Sequence, residues 1–474
     1  MKNLKTLALV GGPLVAVAIG FVLSKFDCPQ PIWWTVAITT WVAAWWVFEP
    51  IPIPATSLIP FFAFPLGGVV DSTQISTSYG HWLILLLMGG FLLSTAMEKS
   101  GAHRRLALMM VRAVGGSDGR RLVLGFMIAS AVLSMWISNT ATALMLLPIA
   151  LAVLDQAIER EKLAVPLLLG VAFGANIGGI GTPVGTPPNL LCMEYAAKFS
   201  GEWGFMRWMK IGVPVVIILV PLTWLWLTRG LKLREPIVIP DPGKWRTEEM
   251  RVLTVFTITA LLWITRSEPF GGWNGILESF WDYERVKGKP MVTDSSVALM
   301  MVVTMFLVPS GNGSGEKLLD WETAANVPWG LLLLFGGGLA IGKAFDQSGL
   351  GQEIGNVLSG VTSMYVIFMI ATICLTMTFL TEVTSNTATT ALMLPILLGA
   401  CQGKDGNLVI APELLMVPAA ISASCAFMLP VATAPNAIVF GTDQITTRAM
   451  VRNGFVLNLI GAIVITAASY LLLS

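Results

Sequence analysis

Apolar runs recur along the entire chain, at 5–24, 32–48, 52–70, 81–98, 122–157, 164–195, 208–228, 252–266, 295–308, 326–345, 361–402, 410–440 and 453–473. A helix needs roughly 20 apolar residues to cross a hydrocarbon layer of about 30 Å, whereas a membrane strand needs only about ten in alternation. No alternation is visible, so the chain reads as an all-α integral membrane protein. Composition agrees, with 55% hydrophobic and 12% charged residues among 474 and a mean hydropathy of +0.75. A net charge of +1 without a basic tract gives no reason to invoke nucleic acid. Cys28, Cys192, Cys374, Cys401 and Cys425 lack disulfide or metal-ligand spacing and read as packing residues. The run at 7–24 is followed by no small-residue cleavage site, and it reads as a first span.

Charge then orients the spans. Lys99, Arg104, Arg105, Arg112, Arg120 and Arg121 form a basic stretch after four crossings, which the positive-inside rule places in the cytoplasm. The amino terminus, with Lys2 and Lys5, lies on the same side. The run 122–157 has basic flanks at both ends, Arg120–Arg121 and Arg160–Lys162, so it enters and returns as a re-entrant hairpin. The run 164–195 is too long for one plain helix and is interrupted by GGIGTPVGTPPN. Broken backbone survives at membrane depth only where protein encloses it or it lines a cavity. A second basic stretch, from Arg229 through Lys232, Arg234, Lys244 and Arg246 to Arg251, is again cytoplasmic. A second hairpin at 361–402 and a second interrupted span at 410–440 follow. The expectation is eleven spans plus two hairpins, ending outside a bacterial-type plasma membrane.

The two halves repeat each other. Ser138-Asn139-Thr140 opens SNTATALMLLPI, and Ser385-Asn386-Thr387 opens SNTATTALMLPI, identical at eight of twelve positions. Ser138 to Gly185 in PVGTPPN and Ser385 to Ala432 in PVATAPN are both 47 residues, while Gly89-Gly90 and Gly336-Gly337 each precede their Ser by 49. Three landmarks thus share one offset of 247. The span count puts the first hairpin on the cytoplasmic side and the second outside. Inverted repeats with broken helices are the signature of secondary transporters with a midplane site.

The repeated residues suit two kinds of ligand. Helix N-termini at an unwound tip favour anions, and carbonyls at C-terminal ends coordinate cations. Asn139 and Asn386 offer amide donors and acceptors, and the neighbouring hydroxyls donate or accept. Ser134 and Thr381 stand four residues before each Ser-Asn-Thr, on the same helical face. The breaks at Gly185 and Ala432 can add backbone carbonyls, and sodium selects such oxygen ligands. No Arg or Lys lies in either tip or either break. An anion bound there needs co-bound cations, because a bare carboxylate in a low-dielectric site is heavily penalised.

These residues resemble the divalent anion/sodium symporter family, whose hallmark is the paired Ser-Asn-Thr. Ser424-x-x-Phe427-x-x-Pro430-Val431-Ala432-x-x-x-Asn436-x-Ile438-Val439 matches its carboxy-terminal signature at every fixed position. The resemblance covers essentially the whole chain. It implies a homodimer whose scaffold holds an elevator-type transport domain. Scaffold would occupy 1–120, including a cytoplasmic basic helix, and 208–360; the transport domain would occupy 121–207 and 361–446, with a last helix at 447–474. The first sodium site would use Ser134, Ser138, Asn139 and Gly185, and the second Thr381, Ser385, Asn386 and Ala432. Substrate carboxylates would meet Ser138, Asn139, Thr140, Ser385, Asn386 and Thr387, helped by Thr186, Pro187 and Thr433. Ala434 departs from the Pro expected in relatives, which bears on pocket shape.

The function expected is an electrogenic sodium symporter importing a C4-dicarboxylate of the succinate, malate and fumarate class, with Na+ co-transported and no organic cofactor. A sodium-independent dicarboxylate or citrate exchanger and a sodium/sulfate symporter are the rivals within transporters. An intramembrane enzyme would need a nucleophile and base or a metal cluster, and no Ser/His or HExxH arrangement is present. Glu382, beside the second tip, is balanced between an ion-binding and a structural role, because its counterpart in the first half is Met135. Glu49 reads as helix-end structure, His81 and His103 as interfacial, and Trp33-Trp34 and Trp45-Trp46 as interface belts.

Overall fold

The computed structural model describes residues 2–26, 28–115, 118–232, 239–281, 290–313, 315–358, 365–402 and 408–473. Arg234 and the start of the second hairpin at 361–364 lie outside the described residues. Helices account for all the regular structure described, apart from two isolated β-bridges. The first half runs through α1 (Lys2–Lys25), α2 (Gln30–Phe48), α3 (Ile53–Thr56), α4 (Ile59–Leu66), α5 (Ser72–Tyr79), α6 (Trp82–Ser100) and α7 (Ala102–Gly115). The first hairpin is α8 (Gly119–Ser134) and α9 (Asn139–Gln156). The first broken span is α10 (Arg160–Gly178), a 3-10 turn at Gly179–Gly181 and α11 (Pro187–Ser200), before α12 (Phe205–Leu227). The second half holds α13 (Thr247–Ile264), α14 (Gly272–Phe280), α15 (Asp294–Leu307), α16 (Trp321–Ala324), α17 (Trp329–Ser348) and α18 (Leu350–Leu358). Its hairpin is α19 (Val366–Leu380) and α20 (Asn386–Ala400), its broken span α21 (Glu413–Ala423) and α22 (Ala434–Phe440), and its last helix α23 (Thr447–Leu473).

Eight helical stretches among the described residues are long and apolar enough to cross a membrane. One of them is α9, half of a hairpin. The other seven reach the expected eleven spans only with α3–α4, α13, α15 and the broken pair α21–α22, which are short, interrupted or start with charge. Enclosure differs sharply between them: 89% of the apolar window of α10 is buried, against 17% for α1. The core therefore sits around α10, and α1 turns its apolar side chains outward. Close approach requires glycine there. A Cβ on Gly178 would lie 2.2 Å from the carbonyl oxygen of Ala131 on α8, the small-residue contact that lets membrane helices pack backbone to backbone.

The duplication is visible bond by bond. Asn189 Nδ2 donates to the carbonyls of Gly179 (2.9 Å) and Thr182 (2.8 Å). Asn436 Nδ2 donates to those of Ala426 (3.0 Å) and Leu429 (3.1 Å). Each residue of the second set is 247 positions beyond its partner in the first. Each break is thus held open by its own asparagine, which satisfies carbonyls released from the helix, as a low-dielectric interior demands.

The hairpins enter from opposite ends. The first opens beside the end of α12, where Trp224 Nε1 donates to the Arg120 carbonyl (2.7 Å) and Arg120 Nε to Thr228 Oγ1 (3.3 Å). That is also the end where α7 packs on α8 and Lys99 pairs with Asp320. The second hairpin closes at the far end of α17, where Gly399 lies against the backbone of Gly351 in α18, near the Lys198–Asp346 pair at 2.7 Å. α12 packs on α8, α10 and α23 far more than on α13. Trp45 and Trp46 differ from the expected belt. Trp46 is buried, with Nε1 donating to Ser57 Oγ (3.0 Å), and Trp45 Nε1 donates to the Ala8 carbonyl (3.0 Å). Their indoles find partners on neighbouring helices and so join the packing between α1, α2 and α3.

Candidate functional site

Each tip is shaped by its own serine. Ser138 is the N-cap of α9 and accepts the Ala141 amide (3.1 Å); Ser385 caps α20 and accepts the Ala388 amide (3.4 Å). A side-chain oxygen that satisfies a free N–H at the first turn fixes where the helix starts. Thr186 and Thr433 hold the N-cap positions of α11 and α22, each followed by a proline-bearing first turn. Four half-helices therefore begin around one point.

That point is a cavity of about 700 Å³. Its wall holds Ser138, Asn139, Thr140, Gly185, Thr186 and Pro187 from the first half, and Ser385, Asn386, Thr387, Ala432, Thr433 and Ala434 from the second. Every residue expected to meet substrate lines it. Ser134 and Thr381 do not: both are fully buried beneath the tips. Among the described residues the one ammonium in the wall is that of Lys5, which pairs with Glu49 at 3.9 Å. Glu49 ends α2 in a left-handed conformation with φ 45°, so it is helix-end structure and cavity rim at once. A larger cavity of about 840 Å³ shares Phe91, Ser138, Thr140 and Leu331 with the first and runs to Glu98, His103 and Arg104 at the Lys99 end. His103, expected at an interface, stands in the wall of this vestibule. His81 caps α6 and pairs with Glu194 at 3.4 Å.

Beneath each tip lies a cluster of oxygens. In the first half Ser134 Oγ bonds the Ala175 carbonyl (2.7 Å) and Asn139 Oδ1. A Cβ on Gly179 would fall 2.8 Å from Asn139 Oδ1 and 3.2 Å from the Gly185 carbonyl oxygen, so glycine there keeps both oxygens exposed to the same space. In the second half Asn386 Oδ1 is buried and, among the described residues, has no hydrogen-bond partner, while Thr381 Oγ1 donates to Met377 O (2.9 Å). Buried acceptors are almost always satisfied. A hard cation, which takes oxygen ligands only, fits the orphan.

Two important residues escaped sequence reasoning. Asn176 is buried on α10, lines the cavity, and donates to Thr433 Oγ1 (3.0 Å) and Asn436 Oδ1 (3.2 Å), stitching the two halves together at the breaks. Its signal was present, as the one amide within the apolar run that leads into GGIGTPVGTPPN. Thr384 lies in the wall next to Ser385, hydrogen-bonded to Thr389 at 2.6 Å. Glu382 does not reach the cavity. Its carboxylate accepts from the amides of Met428 and Leu429 (both 2.9 Å) and from Asn458 Nδ2 (2.7 Å).

An inverted repeat of hairpins and broken helices closing on one shared polar cavity defines a multi-pass membrane transporter. Residues 43–416 match the family described as citrate transporter. The sodium-dependent dicarboxylate transporter SdcS of Staphylococcus saprophyticus is 38% identical, over 98% of this chain and 90% of its own length. Its namesake from Staphylococcus aureus is 37% identical with the same coverage. The crystal structure of the Alcanivorax borkumensis YdaH transporter aligns with a TM-score of 0.56 over 84% of this chain and 88% of its own, at 14% identity, a likeness of fold alone. The chain belongs to the divalent anion/sodium symporter family. Its relatives are transporters and not enzymes.

Proposed function

We propose that this chain is a sodium-coupled symporter that imports C4-dicarboxylates. The carrying observation is the convergence of both Ser-Asn-Thr tips and both breaks on one cavity with no ammonium or guanidinium in any of the four. A dianion there is held by helix N-termini and neutral donors, and its charge is offset from below by cations in the two oxygen clusters. Ser138, Asn139 and Thr140, with Thr186 and Pro187, grip one carboxylate. Ser385, Asn386, Thr387 and Thr433 grip the other. Ser134, Asn139 and Gly185, and Thr381, Asn386 and Ala432, with the tip serines, coordinate sodium. The names of the close relatives support both the ion and the substrate class.

The same reading extends to movement. The hairpins and broken spans travel as one body against a scaffold of α1–α6 and α13–α17, linked by α7 and α18, which pack on the hairpin helices α8 and α20, with the Lys99 end in the cytoplasm of a bacterial inner membrane and two protomers joined through the scaffold. α12, drawn with the scaffold by sequence boundaries, is assigned to the moving body with α23, because its packing is on α8, α10 and α23. The vestibule at the Lys99 end supports reading this as a cytoplasm-facing state. Succinate uptake into proteoliposomes tests the function: it is expected to require an inward sodium gradient, and equal uptake with choline in place of sodium would falsify symport.

A further inference from the structure

The two hairpins are tied to their breaks at matching positions by different chemistry. In the first half Thr182 Oγ1 donates to the backbone carbonyl of Met135. The positions 247 residues on are Leu429 and Glu382. There the direction is reversed: the Leu429 amide donates to Glu382 Oε2 (2.9 Å), and Oε1 takes the Met428 amide (2.9 Å) and Asn458 Nδ2 (2.7 Å). Asn458 Oδ1 accepts the amide of Phe427 (3.2 Å), so three consecutive N–H groups of the unwound stretch face one Glu–Asn pair. From the other side Asn436 Nδ2 holds the Leu429 carbonyl (3.1 Å), which also accepts the Ala432 amide (3.2 Å). Leu429 is gripped on both its N–H and its C=O. The turn that starts there delivers Ala432 to the cavity wall, which Asn386, the bearer of the orphan acceptor, also lines.

We propose that Glu382 is a positioning residue of the second cation cluster. It touches neither cavity nor substrate, being 3% exposed with both oxygens engaged. Its work is to lock the turn 429–432 so that the Ala432 carbonyl and Asn386 Oδ1 point at one ion. The first cluster achieves the same with Thr182 and no charge. The two cation sites are therefore built on different supports, and only the second depends on a carboxylate. This rests on the sodium-symport reading above.

The test is sodium activation of succinate uptake in proteoliposomes, with Glu382→Met, Glu382→Gln and the double variant Glu382→Met/Leu429→Thr, which installs the first-half tie in the second half. Removing the partners that orient a metal ligand costs about 10- to 100-fold in ion affinity. Glu382→Met is accordingly expected to raise half-saturating sodium about tenfold, with maximal uptake at saturating sodium and the succinate half-saturation measured there within about twofold of the parent. The double variant is expected to recover most of the sodium shift. Should Glu382→Met not fold, Glu382→Gln carries the test, since it keeps the acceptor for Met428 and Asn458 but turns an NH2 group toward the Leu429 amide. It is expected to shift sodium activation at least about threefold, half of a tenfold loss on the logarithmic scale. An unchanged sodium curve in whichever variant folds, or a loss confined to maximal rate, overturns the proposal. A parent whose uptake ignores sodium overturns the symport reading instead.

Discussion

Asn139 and Asn386 each line the cavity and each carry a side-chain Oδ1 in the oxygen cluster beneath it, bonded by Ser134 Oγ in the first half and, among the described residues, without a partner in the second. An alanine at either position removes donors to the anion and an acceptor to the ion in one step. Because ion and anion couple reciprocally, Asn139→Ala and Asn386→Ala are each expected to weaken sodium and succinate together, by about tenfold or more for a lost charge-assisted bond. Thermal stabilisation by sodium alone, and by sodium with succinate, reads both. A variant that kept its sodium response and lost only the anion would contradict the shared role. Ser134 and Thr381 are different in kind. They are fully buried and do not line the cavity, whereas the residues expected to meet substrate do.

At the scale of elements, the site depends on α8 and α10 meeting without side chains between them. Gly178 faces the Ala131 backbone at a distance that no Cβ tolerates, whereas Gly11 on α1 has nothing within 4 Å. Gly178→Ala is expected to destabilise the purified protein by about 1–3 kcal/mol or more through overpacking, and Gly11→Ala to be neutral or slightly stabilising, as alanine is the better helix former. Melting temperature in detergent distinguishes the two. Equal, negligible effects would mean that α8 and α10 are not packed as closely as described. The existence and order of the helices were legible from run lengths, the first hairpin from basic flanks at both ends, and the second from its repeat of the first. Less legible were α3–α4, α13, α15 and α21–α22, whose apolar windows are short or interrupted; their place in the bundle comes from neighbours that cover them.

For the whole molecule, the proposed division is into two bodies, one carrying the tips and breaks and one around them. At the far end Arg266 bridges them. It pairs with Asp294 of α15 and with Glu202 in the connection between α11 and α12, while Asp294 also accepts the Phe205 amide at 3.1 Å. If the hairpin body moves as a unit, spin labels at Arg160, at the mouth of the first hairpin, and Lys317, in the connection after α15, are expected to change separation between the substrate-free state and sodium plus succinate. Labels at Lys5 and Lys317, both assigned to the scaffold, are expected to keep theirs. Electron-resonance distances that change in neither pair, or equally in both, would rule out a moving hairpin body.

The sequence by itself determined the membrane class, the duplication, the inversion and the residues of both tips, because apolar length, charge flanks and a constant offset are local or strictly periodic signals. Only the tertiary structure decided that tips 247 residues apart share one cavity, that Asn176 joins the two breaks, that α12 packs with the hairpins, and that Glu382 holds the unwound stretch and does not enter the cavity. Each of these is a contact between segments far apart in the chain. Which buried polar group meets which partner depends on how whole helices pack, and a membrane interior that leaves no unsatisfied backbone enforces the answer only once they have packed.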